Sequence, residues 1–245
     1  MNKVIFLFLI VHFTALSQIK KMKPLSELIN KEEPGWELVS EWIDEATNKV
    51  EILPKNEKQA DSALYYTQVT TRSPMGSIIY ETGGILVDHG WIRILGSGNK
   101  KLERTLPNWN KEKTFNEYGE QPSILLIADD VIGGFFAING GALGEDLGKV
   151  YYFAPDSLNW EPMELGYSDF IWWTFTGNLS DFYANVRWKN WKNDVKEING
   201  NQGYSFYPFL WTKHKNVNDL NREVVPISEL WNLQKDIVKK MKKGE

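Results

Sequence analysis

The chain has 245 residues, 42% hydrophobic and 24% charged, with a net charge of −4, a composition that fits one large folded domain or two small ones. The acidic balance lacks the basic footprint of a nucleic-acid binder. With no cysteine at all, disulfides, thiolate metal sites and a cysteine nucleophile are excluded.

The amino terminus, MNKVIFLFLIVHFTALSQ, places Lys3 before a short apolar run, Val4 to Leu16, and then small residues at Ala15 and Ser17. That order is expected of a cleavable secretory signal over residues 1–17, giving a periplasmic or secreted protein. The run is too short for a stable membrane anchor, which needs about 20 apolar residues. The competing reading starts translation at Met22 and leaves the protein in the cytoplasm.

Leu25 to Asn30 reads as a short helix broken by Pro34-Gly35, and Trp36 to Asn48 carries apolar residues at helical spacing. Asn56 is positioned to cap a helix from Glu57 to about Tyr66. Thr70 to Gly76 is a polar loop, and Ser77 to Thr82 is ambiguous between helix and strand. Gly83-Gly84 opens two strands, Ile85–Val87 and Trp91–Leu95, joined by a tight turn at Asp88-His89-Gly90. Lys100 to Gln121 reads as an irregular exposed connection.

Ile124 to Ala128 has the unbroken apolar character of a strand covered on both faces, stopped by Asp129 and Asp130. Phe135–Ile138 and Val150–Phe153 follow after glycine-rich turns and complete an antiparallel meander. Tyr167–Phe175 and Asn178–Arg187 are expected helices. Gly203–Trp211 reads as a late strand with Pro208 at an edge or bulge. A final helix capped by Ser228 keeps Leu230, Leu233, Ile237 and Met241 on one face. With no repeat or linker, residues 18–245 are expected to form a single α+β domain, a mainly antiparallel sheet packed by flanking helices. Most of the eleven tryptophans belong to its core.

The candidate chemistry is sparse. Asp88-His89 pairs a carboxylate with a side chain that titrates near neutrality, and Ser73 is a conceivable nucleophile, although no serine sits in a G-x-S-x-G elbow. Asp129-Asp130 could ligate a metal or do acid–base work, but adjacent strand residues point to opposite faces, so solvated turn residues are the expectation. Glu145 and Asp146 add nothing at calcium-loop spacing, and His89 and His214 lack zinc-ligand spacing. The glycine pairs match neither phosphate-loop pattern and read as turns. Arg72 could grip a carboxylate or phosphate through its planar fork, or simply anchor its loop through an acidic neighbour. The residues expected to serve a binding site are Arg72, Asp88, His89 and Asp129. No catalytic set, metal or cofactor is expected.

Several strings carry a resemblance: LSELINKEEPGW at Leu25–Trp36, VTTRSPMGSIIYETGGILVDHGWIRILGSG at Val69–Gly98, ADDVIGGFFAINGGALGEDLGKVYYFAPDSL at Ala128–Leu158, LGYSDFIWW at Leu165–Trp173 and GYSFYPFLWT at Gly203–Thr212. Together they resemble an uncharacterised bacterial family, domain of unknown function 2625, over almost all of the mature chain. More remotely, the order of helices, Gly-Gly strand opening, Gly-rich meander and Ser-Asp-Phe helix is similar to the SUKH superfamily, whose members include toxin-neutralising immunity proteins. That similarity implies a non-enzymatic α+β scaffold that binds a protein partner. The rival expectation is an exported hydrolase or glycan-binding protein using a polar site near Asp88, His89 and Asp129. A structural envelope protein is the third.

Overall fold

A computed structural model describes residues 21–213 and 216–243; the segment read as a secretory signal and His214 lie outside the described residues. The elements in chain order are α1 (Leu25–Leu28), α2 (Trp36–Asp44), β1 (Val50–Pro54), α3 (Glu57–Thr67), α4 (Pro74–Glu81), β2 (Thr82–Val87), β3 (Ile92–Leu95), α5 (Leu106–Asn110) and β4 (Ile124–Asp130). They continue with β5 (Phe135–Asn139), β6 (Val150–Ala154), β7 (Asn159–Pro162), α6 (Tyr167–Thr176), α7 (Leu179–Phe182), α8 (Trp191–Lys196), β8 (Gln202–Tyr207), β9 (Asn221–Pro226) and α9 (Ile227–Lys243).

Strands β1 to β7 form one seven-stranded sheet in sequence order, each pair antiparallel. This is the expected meander, extended by a strand at each end. The register assigns the faces. Glu51, Leu86, Arg93, Asp129, Phe135, Phe153 and Trp160 stand in one row across the sheet. On the opposite face the adjacent row runs Ile52, Ile85, Ile94, Ala128, Phe136, Tyr152 and Glu161. Helix α6 covers the second face, with Phe170 4.9 Å from Phe136. Trp109 of α5 and Trp231 of α9 cover the first, at 6.5 and 4.9 Å from Phe135. Strands β8 and β9 form a separate hairpin, tied to the sheet where the Tyr204 N–H donates to the Val131 carbonyl at 2.6 Å.

The ambiguous SIIYET segment is helical through Glu81. Ser73 caps α4 by accepting from the Gly76 N–H at 3.1 Å, and Pro74 occupies the first turn, where its missing N–H costs nothing. The region expected to be irregular contains α5, and its buried Asn110 bonds both the N–H and the carbonyl of Leu126 at 2.8 Å. Asn110 thereby takes the place of one more strand residue beside β4, where β3 has ended. The expected Asn178–Arg187 helix is helical only over α7, and α9 begins one residue before Ser228. No helix among the described residues is long and apolar enough to cross a membrane.

Candidate functional site

The turn between β2 and β3 is left-handed at three successive residues, Asp88 (φ 48°), His89 (φ 64°) and Gly90 (φ 90°). Its first two residues follow the primed geometry that suits a hairpin twist, a conformation Asp and His tolerate better than most side chains. Backbone strain of this kind persists only where the surroundings hold it. Here Asp88 accepts from Arg187 Nη2 at 2.5 Å, and the guanidinium sits 4.1 Å from the Trp191 ring centre and 4.7 Å from that of Trp91. Both partners of this ion pair are largely buried, with side chains 8% and 14% exposed. Asp88 therefore pins the turn; it does not orient His89.

His89 meets the same Trp191 edge to face at 6.0 Å, and its buried Nδ1 has no hydrogen-bond partner among the described residues. Burial pushes its pKa below the usual value, opposed by Asp88 and reinforced by Lys49, Lys192 and Lys196. The imidazole is accordingly neutral at pH 7.

The expectation that Asp129 and Asp130 are solvated turn residues is wrong: both belong to β4 and both are 0% exposed. They do point to opposite faces. Asp129 accepts from Arg93 Nε at 2.6 Å, while Arg104 lies against it in a two-pronged pair through Nη1 and Nη2 and also donates to the Gly200 carbonyl at 2.6 Å. One buried carboxylate thus holds two buried guanidiniums. Desolvation draws the Arg104 pKa down, with Asp129 opposing it. On the other face, Asp130 accepts from Tyr152 and Tyr183 hydroxyls at 2.7 and 3.1 Å and from the N–H groups of Ile132 and Gly134. Burial nevertheless raises its pKa.

Of these residues His89, Gly90, Arg93 and Gly200 line a cleft of about 430 Å³ between β1–β3 and the end of α8. Its charged lining comprises Lys49, Arg93, Lys101 and Lys196 against Glu51 and Glu197, with His89 beside them. Lys101 is paired with Glu51 at the rim. Arg93 is 1% exposed, and its Nη2, 2.6 Å from Asp129 but outside hydrogen-bond geometry, makes no hydrogen bond. The structure therefore brings together His89 directly and Asp129 through Arg93, with Asp88 behind the turn. Arg72 is not with them. It precedes α4 and pairs with Glu33 at 2.6 Å on the surface, both side chains 67% exposed, which is the loop-anchoring alternative. Ser73 is occupied as a cap, and Asp146 is bonded to Tyr151 and Asn139. Among the described residues no group of three or more His, Asp or Glu is placed to hold a metal.

Sequence reasoning missed Arg93, Arg104 and Arg187, which organise the site, and the cleft lysines. An Arg within the apolar strand IRIL was the available signal, since a charge there needs a buried partner.

No solved structure matches the chain. It is 46% identical over 213 residues to the Escherichia coli (strain K12) protein YbfG, covering 87% of this chain and 96% of the relative. It is 48% identical over 189 residues to an uncharacterized protein of Haemophilus influenzae (strain ATCC 51907 / DSM 11121 / KW20 / Rd), covering 77% and 83%. With a family model matching residues 25–230 and this degree of identity, the chain belongs to the family described as protein of unknown function DUF2625.

Proposed function

We propose that the protein is a non-enzymatic binding domain whose cleft receives acidic side chains of a protein partner. The observation that carries this reading is the charge inventory of the cleft. Lys101 is matched by Glu51, Lys49 and Lys196 face the one further lining carboxylate, Glu197, and behind them two guanidiniums, Arg93 and Arg104, share the single carboxylate of Asp129. A low-dielectric wall with surplus cations raises the local concentration of anionic groups. The remote SUKH-like pattern supports a protein as the carrier of those groups, and the apolar amino-terminal run supports a site of action outside the cytoplasm.

The hydrolase reading draws on one observation, the uncharged His89 with its free Nδ1. It lacks the oriented pair such chemistry uses, because Asp88 serves Arg187 and Ser73 serves α4.

The test is calorimetric titration with a Glu-rich decapeptide, with a Lys-rich peptide and citrate as controls. Saturable binding of the acidic peptide that weakens at high salt and is abolished by Lys49→Glu with Lys196→Glu is the expected result. Equal affinity for both peptides, or no effect of charge reversal, refutes the cleft. Citrate binding as tightly as the peptide replaces the protein partner with a small carboxylate. Amino-terminal sequencing of the purified native protein tests export, and an intact Met1 or a start at Met22 refutes it.

A further inference from the structure

A second concavity lies on the same sheet face at its opposite end, between α9 and β6–β7, with a volume of about 470 Å³. Three properties distinguish it from a packing gap. Its floor is apolar and aromatic, built from Phe153, Leu158, Trp160 and Trp231 among others. Phe153 and Trp160 meet edge to face at 5.3 Å, and the half-buried Trp160 remains accessible from the groove. The rim carries Lys235, Lys239, Lys242 and Lys243, while neither Asp nor Glu is among the lining residues. Finally Gln234, only 2% exposed, lines the groove and has a buried Oε1 with no donor among the described residues.

These properties specify complementary parts of one ligand. An apolar aromatic floor takes a flat ring. A buried acceptor without a donor calls for an O–H or N–H carried by that ring, because native structures seldom leave such an atom unpaired. Exposed lysines at the mouth, in the last turns of α9, take an anionic end. We propose that this groove is a binding site for an aromatic carboxylic acid bearing a ring hydroxyl or ring N–H. The ring lies among Trp160, Trp231 and Phe153, its polar hydrogen meets Gln234 Oε1, and the carboxylate faces Lys239 and Lys242. The site shares no lining residue with the cleft, so either proposal can fail without the other.

The experiment titrates the full chain with three probes in parallel, by calorimetry and ligand-observed saturation-transfer NMR. They are para-hydroxyphenylacetate, phenylacetate, which lacks the ring donor, and tyrosol, which lacks the carboxylate. Saturable one-to-one binding of para-hydroxyphenylacetate is expected, with phenylacetate about tenfold weaker because it leaves Gln234 unpaired. Gln234→Leu is expected to erase that tenfold preference. Lys239→Ala with Lys242→Ala, both at exposed positions, weakens the two carboxylates about fivefold, leaves tyrosol unchanged and removes the salt dependence. Absence of saturable binding by all three probes to the folded wild type overturns the site. Binding that is indifferent to the ring hydroxyl, or unaffected by the lysine pair, also overturns the assignment.

Discussion

Replacing Asp129 by Ala removes a single carboxylate and strands two guanidiniums. The side chains of Arg93 and Arg104 are 1% and 10% exposed, so neither recovers much solvation by rotating outward. Breaking a buried ion pair by deleting one partner costs about 3–5 kcal/mol, and here two cations lose their counter-charge at once. We expect about 5 kcal/mol, a large share of a total stability of roughly 5–15 kcal/mol. With a urea slope of about 3 kcal/mol per molar, the unfolding midpoint falls by roughly 1.7 M. Urea unfolding followed by tryptophan fluorescence and by circular dichroism reads the shift and checks that one transition is seen. A companion variant, Arg93→Met with Asp129→Leu and Arg104→Met, exchanges all three charges for apolar groups and should lie within about 2 kcal/mol of wild type. A cost below about 1 kcal/mol for Asp129→Ala, or a triple variant worse than the single one, refutes the picture of one carboxylate neutralising a buried cationic pair.

Arg187→Lys keeps the charge beside Asp88 but gives up the planar stack on Trp91 and Trp191, and should cost about 1–3 kcal/mol in urea unfolding. Gly96→Ala places a Cβ 2.6 Å from the Gly84 backbone nitrogen and 2.8 Å from the Thr82 carbonyl oxygen; loss of soluble folded protein or a drop of several degrees in Tm is expected. Asp130 has a raised folded pKa, so its contribution is fully present below the unfolded value of about 3.9 and is lost as pH rises through the folded value. Denaturation across that range should therefore show wild type losing stability relative to Asp130→Asn as pH increases. His89 has a lowered folded pKa, and an anion in the cleft would favour its protonation. Acidic-peptide affinity should rise as pH falls below about 6.5, and His89→Ala should remove that dependence in the same titration.

The meander was legible because its strands are apolar runs punctuated by glycine turns, a signal contained within single segments. β1, β7 and β9 were not, since VEILP, NWEP and NREVVP are short and half polar, and their pairing is supplied by neighbours. The helix α4 could have been recognised from Ser73-Pro74, a cap followed by a first-turn proline, against the β-branched pull of Ile78 and Ile79. Asp129 and Asp130 illustrate the opposite limit. A charge at the end of an apolar run looks solvated until its partners are known, and Arg93 and Arg104 lie 36 and 25 residues away along the chain. Asp88 finds Arg187 at a separation of 99 residues. His89 was visible as a titratable turn residue, but the cleft around it depends on α8, which sequence periodicity did not reveal.

The sheet adds its strands strictly in the order in which the chain supplies them. Each new strand then pairs with the one just before it, through short connections at β2–β3, β4–β5 and β6–β7 and through longer, helix-bearing ones at β1–β2 and β3–β4, whose added length raises the closure entropy only slowly. Such a ladder can zip from either end or from the middle, which favours rapid assembly for so large a β-structure. Long-range closure falls to the segments after β7, from α6 to α9, which return over the two faces of the sheet. Those late pieces form one wall of each concavity, α8 and its following loop at the cleft and α9 at the groove. Both pockets should therefore be the last features to mature on folding and the first to loosen under denaturant, while the ladder beneath them persists.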